Sequence, residues 1–291
     1  MPGKGPLLPE AGPYCPGVPV PRAGPGADPQ DRALIQRLLA SLDRPQAVVE
    51  QAVVGRRFVA IRAGVRVGLA STLGAQPGPK EPEPGERALG RSLGQCAAWL
   101  GGADPLLSSL GLAALVAACP PPPPKQTWSG AAQELLLPRA RGARVVVVGD
   151  FPFTAELART ARRLDLLELR PRPGATPRPQ WDRALAGCQL LLCTATALLS
   201  GGLSRLLAAA PQAFRVLLGP STPLSPALFE LGCQVLAGSR VTDPRPVLAA
   251  VAQGHNYRRI KQAGIQPICL FAPGLEPGEE QTQAPEERSQ P

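Results

Sequence analysis

The chain has 291 residues, 44% of them hydrophobic and 4% aromatic, enough for one large domain or two ordinary ones with a core mostly of Leu, Val and Ala. The formal charge of +9 rests on 31 basic residues, nearly all Arg, scattered without a run of five or six and with little aromatic interleaving, which argues against a nucleic-acid binder and for a solvated surface. Seven cysteines, at 15, 96, 119, 188, 193, 233 and 269, form no C-x-x-C and are odd in number, which argues against a disulfide framework and for a reducing, cytoplasmic setting.

Residues 1–28 hold eight prolines without periodicity and read as disordered, with no basic-led apolar segment of the signal-peptide kind. A helix is expected from about Asp28-Pro29, with apolar residues at 34, 35, 38, 39 and 42 on one stripe. Three strand-like runs follow at 46–55, 56–64 and 65–72, the second alternating at Phe58 and Ala60, with Gly55 and Gly64 at the turns. They predict an antiparallel meander. After a Pro/Glu/Gly loop come helical segments near 88–100 and 105–118. The second belongs to the longest uncharged apolar stretch, which at 105–119 falls short of the roughly 20 residues of a membrane span and reads as a buried core helix. Residues 29–119 are thus expected to form a small α+β domain.

Five prolines at 120–124 predict a stiff spacer, and 120–128 is taken as the linker. After a helix beginning at SGAAQELLL, strands at 143–149, 166–170, 189–193, 214–218 and 234–238 alternate with helices near 154–164, 179–186, 198–209, 225–231 and 244–253. Strands apolar throughout are buried on both faces. Alternation of this kind predicts an α/β domain over 129–272 with a Rossmann-like parallel sheet. Residues 273–291, rich in Pro, Glu and Gln, read as a disordered tail.

In such sheets ligands bind outside the carboxyl ends of the strands, so the residues there are the candidates. The run VVVVGDFPF places Gly149, Asp150, Phe151 and Pro152 at the first strand's exit, where Asp150 could accept from a ligand or, like Thr154, cap the next helix. No G-x-G-x-x-G and no P-loop is present, so a dinucleotide role has little support. Glu168 ends the second strand and could take hydroxyls of a ligand or pair with an Arg such as Arg170. Thr194 and Thr196 follow the third strand and could bind ligand or cap a helix. In LLGPSTPLSP, Gly219, Pro220, Ser221 and Thr222 leave the fourth strand, and Ser225-Pro226 starts the next helix. His255, the single histidine, follows Gly254 just past a helix and reads as a cap rather than a catalyst, since no G-x-S-x-G accompanies it.

Together these stretches resemble a bacterial and archaeal family named for heavy-metal chelation, over about 46–72 and 105–260. The motifs carrying the resemblance are VGRRFVAIRAGVRVGLAST, VVGDFP, CTATALLSGGL and GPSTPLSPALFELGCQVLAG with Val241 and Asp243 and then VAQG. The resemblance implies an enolase-N-terminal-like α+β domain ahead of the Rossmann-like one. It also implies a ligand site between them, ringed by Gly149, Asp150, Phe151, Pro152, Glu168, Thr194, Thr196, Gly219 to Thr222, Gly238 and Asp243. Val116, Ser200 and Gly202 depart from the family's Asn and Thr, which removes polar contacts if those side chains touch ligand.

Two functions follow as expectations. The first is a protein that binds a heavy-metal ion, a metal complex or another small molecule in an interdomain cleft, with Asp150, Glu168 and Asp243 as hard-oxygen metal candidates. The second is an enzyme acting on a small anionic metabolite, with Asp150 or Glu168 as general base. An assembly partner without an active site is a third. No membrane or nucleic-acid partner is expected, and oligomeric state is left open.

Overall fold

The computed structural model describes residues 28–76, 83–170 and 172–275. The disorder expected at the two termini falls, but for a few residues, outside these. Helix α1 (Pro29–Ala40) starts as expected, with the Asp28 carboxylate accepting from the Gln30 N–H at 2.7 Å. The meander follows as β1 (Gln51–Val54), β2 (Phe58–Ala63) and β3 (Arg66–Ser71), an antiparallel three-stranded sheet in that order. Helix α2 (Leu93–Ala97) is shorter than expected, because its capping box of Ser92 and Gln95 fixes a later start. Helix α3 (Pro105–Ala118) is buried nearly all round, which its uncharged sequence permits.

The larger sheet has seven strands. Strand β4 (Thr127–Trp128) precedes α4 (Ala132–Ala140), β5 (Arg144–Val148), α5 (Thr154–Thr160), β6 (Arg163–Leu167), α6 (Trp181–Ala186) and β7 (Leu190–Thr194). Then come α7 (Ala197–Ser200), α8 (Leu203–Ala208), β8 (Phe214–Leu218), a 3-10 helix at Pro226–Leu231, β9 (Val235–Val241), α9 (Pro244–Ala252), α10 (Tyr257–Gln262) and β10 (Ile265–Phe271). The strand order is β4-β10-β9-β8-β7-β5-β6. Strands β5 to β9 are mutually parallel, while β10 runs antiparallel to both β9 and β4.

The chain is therefore α/β with a mostly parallel sheet, but further expectations need correcting, among them the helix over 154–164, which ends at Thr160, and that over 225–231, which is a 3-10 helix. The sheet carries two strands, β4 and β10, that the five-strand reading lacks. The helix expected over 198–209 is two helices, because Gly201 and Gly202 take φ of +77° and +92° and interrupt it. Strand β6 runs from Arg163 to Leu167, three residues earlier at each end than the expected 166–170, and its charged start is tolerated because Arg163 pairs with Asp165 at 2.8 Å.

Alternate residues of the parallel strands enter two cores. Val145, Val147, Leu190, Leu192 and Val216 pack with Leu136 of α4 and Leu157 of α5. Val146, Val148, Leu191, Cys193 and Leu217 join a larger cluster with Leu203 and Leu207 of α8. That cluster continues without a break into the first half of the chain, through Leu34 and Leu38 of α1, Val59 and Ile61 of β2, and Leu110 and Leu112 of α3. On its other face the meander places Ala60 and Leu69 against Val247 and Val251 of α9 and Ile260 of α10.

Candidate functional site

The parallel strands run in the order β6-β5-β7-β8-β9, so the chain leaves β5 to one side for β6 and then crosses to the other for β7. The gap between the carboxyl ends of β5 and β7 is a topological switch point, where sheets of this type open a crevice. Register places the candidate residues along this edge. Val148 pairs with Leu167 and with Cys193, Thr194 with Leu218, and Leu218 with Ala237. Gly149, Glu168, Thr194, Gly219 and Gly238 are thus brought to one row at the strand ends.

Gly149 has a φ of +91°, and a Cβ there would lie 2.9 Å from the Thr194 Cγ2, so both backbone and packing require glycine. It turns the chain so that Asp150 leaves the sheet partly exposed. The Asp150 carboxylate accepts from the Arg172 guanidinium at 3.0 Å and does not cap α5. The turn is closed instead by Thr154, whose Oγ1 accepts from the Phe151 N–H at 3.0 Å. Phe151 stacks on Phe153, with ring centroids 5.8 Å apart, while Pro152 is exposed.

Glu168 is the first residue beyond β6 and is half-buried. Burial raises its pKa, opposed by Arg172 and Arg170 and reinforced by the Asp150 charge. Two carboxylates and two guanidiniums therefore feel one another here. Arg170 also donates to the Leu73 carbonyl at 3.4 Å, which brings the loop after β3 to the rim. Leu73 has a φ of +49°, rare for a non-glycine residue. Thr194 and Thr196 are half-buried, with hydroxyls 3.0 Å apart.

The loop leaving β8 is tied to the first half of the chain. The Ser221 Oγ accepts from the Ser71 N–H at 3.0 Å, and Ser225 and Ser41 share a hydroxyl hydrogen bond of 2.8 Å. Half-buried Pro220 precedes Ser221. Thr222 is buried, and its Oγ1 has no hydrogen-bond partner. Gly238 admits this loop closely, since a Cβ there would lie 3.1 Å from the Thr222 carbonyl oxygen.

Asp243 is not brought to this row. It lies five residues beyond Gly238, at the start of α9, on the order of 15 Å along an extended chain. Among the described residues no group of three or more His, Cys, Asp and Glu is placed to hold a metal ion, so Asp150, Glu168 and Asp243 do not form one. The thiols do not supply a set either. Six described cysteines are free, and burial pushes their pKa values up, Cys96 to about 11 and Cys233 to about 12, so at neutral pH they are not thiolates. His255 donates its N–H to the Ala250 carbonyl and helps close the end of α9.

Val116 is half-buried in α3, and Ser200 and Gly202 flank the break between α7 and α8. The Gly202 N–H donates to the Asp31 carboxylate of α1. Sequence reasoning missed Arg172 and the loop at 71–74. The RPRP run after Glu168 signals basic charge nearby but not which Arg turns back.

Residues 35–119 match the family model DUF4213 and residues 131–269 the model DUF364, both described as "Putative heavy-metal chelation". The chain belongs to this family. A protein of unknown function from the DUF364 family of Desulfitobacterium hafniense is similar over 82% of this chain and 98% of that one, with 26% identity and a TM-score of 0.70. A DUF364-family protein of unknown function from Pyrococcus horikoshii shares the fold, with 16% identity, 81% and 97% coverage and a TM-score of 0.62. A search of curated proteins found no match. No helix among the described residues is long and apolar enough to cross a membrane.

Proposed function

We propose that the crevice at the β5–β7 switch point binds a small ligand, either a metal complex or another small polar molecule. The observation that carries this reading is the gathering of Asp150, Glu168, Thr194 and Thr196 at that point of the sheet, with the Ser71–Gly74 loop at its rim. Carboxylates and hydroxyls at a strand-end crevice are hydrogen-bonding groups for a polar ligand. The family's description places heavy metals among the ligand classes to test.

A second reading, an enzyme acting on a small anionic metabolite in the same crevice, is favoured by Glu168. A half-buried carboxyl with a raised pKa is suited to general acid–base work.

Native mass spectrometry with elemental analysis of gently purified protein tests the binding reading. A stoichiometric metal or small-molecule adduct is expected, lost in Asp150→Ala and Thr194→Val. An adduct that survives both substitutions would place the ligand elsewhere.

A further inference from the structure

We infer that Arg172 is a specificity-determining residue that makes the crevice select an anionic metal complex over the bare metal ion. The inference rests on the reading of the crevice as a ligand site and names its ligand class.

A bare divalent cation needs several anionic or lone-pair donors converging on one point. The described residues offer no such group of three. The two carboxylates that do approach one another, Asp150 and Glu168, already face cations. The Arg172 Nη1 sits 3.0 Å from the Asp150 Oδ2, and Arg172 and Arg170 are the groups that oppose the burial of Glu168. An entering metal ion would have to displace a guanidinium and remain beside two positive charges.

A metal already wrapped by a polycarboxylate reverses these signs. Its outer oxygens match the planar fork of a guanidinium, which binds carboxylates through paired N–H donors. Its coordinated waters or hydroxyls can donate to Asp150, Glu168 and the Thr194–Thr196 hydroxyls. The site's balance of two carboxylates and two guanidiniums fits a ligand that carries both acceptors and donors.

Equilibrium dialysis of tag-free protein against nickel(II) chloride, nickel(II) citrate, nickel(II) nitrilotriacetate and metal-free citrate tests the inference. Wild type is expected to take one equivalent of at least one complex, at least tenfold more tightly than the chloride salt. Arg172→Gln should weaken binding of the complex at least tenfold and strengthen binding of the bare ion, with Arg172→Lys between. The Arg172 side chain is 38% exposed, so the variants are expected to fold, and their thermal melts check that they do. Bare nickel bound as tightly as either complex and lost in Asp150→Asn would overturn the inference while leaving the site reading standing. An unchanged preference in Arg172→Gln would overturn it as well. Binding of no probe would overturn the inference while leaving the crevice open to another small polar ligand, and binding indifferent to both Asp150→Asn and Arg172→Gln would overturn the inference and the site reading together.

Discussion

Glu168 shows how one residue's environment sets both its chemistry and a pH signature. Its folded-state pKa lies above the ordinary value of 4.5 because burial disfavours the charged form more than Arg172 and Arg170 favour it. The stabilising contribution of such a group is complete below the unfolded-state pKa and is lost as pH rises through the raised folded value. Glu168→Gln removes this dependence. Thermal melts of variant and wild type are expected to coincide near pH 4 and to separate at pH 7, the variant higher by at most about 4 °C, the effect of 1 kcal/mol in a chain of this size. A variant that melts lower at pH 7 would mean that the guanidiniums outweigh burial. Asp150 differs in kind: it is partly exposed and paired with Arg172, so its removal should change binding far more than stability.

At the scale of elements, the break between α7 and α8 is held from outside. Asp31 of α1 is buried, and its carboxylate accepts from the Gly202 and Ser204 N–H groups at the start of α8. A charge-assisted hydrogen bond contributes about 1.5–3 kcal/mol, so Asp31→Ala should lower unfolding free energy by that amount or more in urea titrations, and Asp31→Asn by less. Equal losses in the two variants would show that the charge, not the acceptor geometry, holds α8.

Strand β8 spans 214–218, as its apolar run between Ala213 and Gly219 predicts, and α3 follows its uncharged sequence. Strand β10 was hidden by Pro267, which normally argues against an interior strand. Here the neighbouring strand β4 pairs only with Cys269 and Leu270, so the edge opposite Pro267 carries no ladder bond for the missing N–H to break. Helix α10, six residues long, is too short for periodicity to reveal. Asp150 and Glu168 were legible because strand ends are. Arg172 was not, because an ion pair across a loop depends on how the loop folds back. The Ser71–Ser221 hydrogen bond joins residues 150 apart, and nothing local in either segment signals it.

For the whole molecule, the proline run at 120–124 reads as a spacer, yet the packing crosses it. Leu34, Val59 and Leu110 share a buried cluster with Leu191, Leu203 and Leu217, and a second cluster joins Leu69 to Val251. Hydrogen bonds from the Ser71 N–H to the Ser221 hydroxyl and between the Ser41 and Ser225 hydroxyls tie the same two halves, and the Asp31 carboxylate adds two more from backbone N–H groups. If either half unfolded alone, the other would expose Leu, Val and Ala side chains that are now fully buried, at about 1.5–3 kcal/mol for each large one. That penalty couples the halves more strongly than a polyproline spacer separates them. Residues 29–119 and 129–272 are therefore expected to melt as one. Differential scanning calorimetry should give a single peak, with calorimetric and van't Hoff enthalpies in a ratio near 1. Asp31→Ala should move that whole peak to lower temperature rather than split it. Two peaks, or a ratio near 2, would instead show that the halves are independent folding units and that the loop at 71–74 can leave the larger sheet without unfolding it.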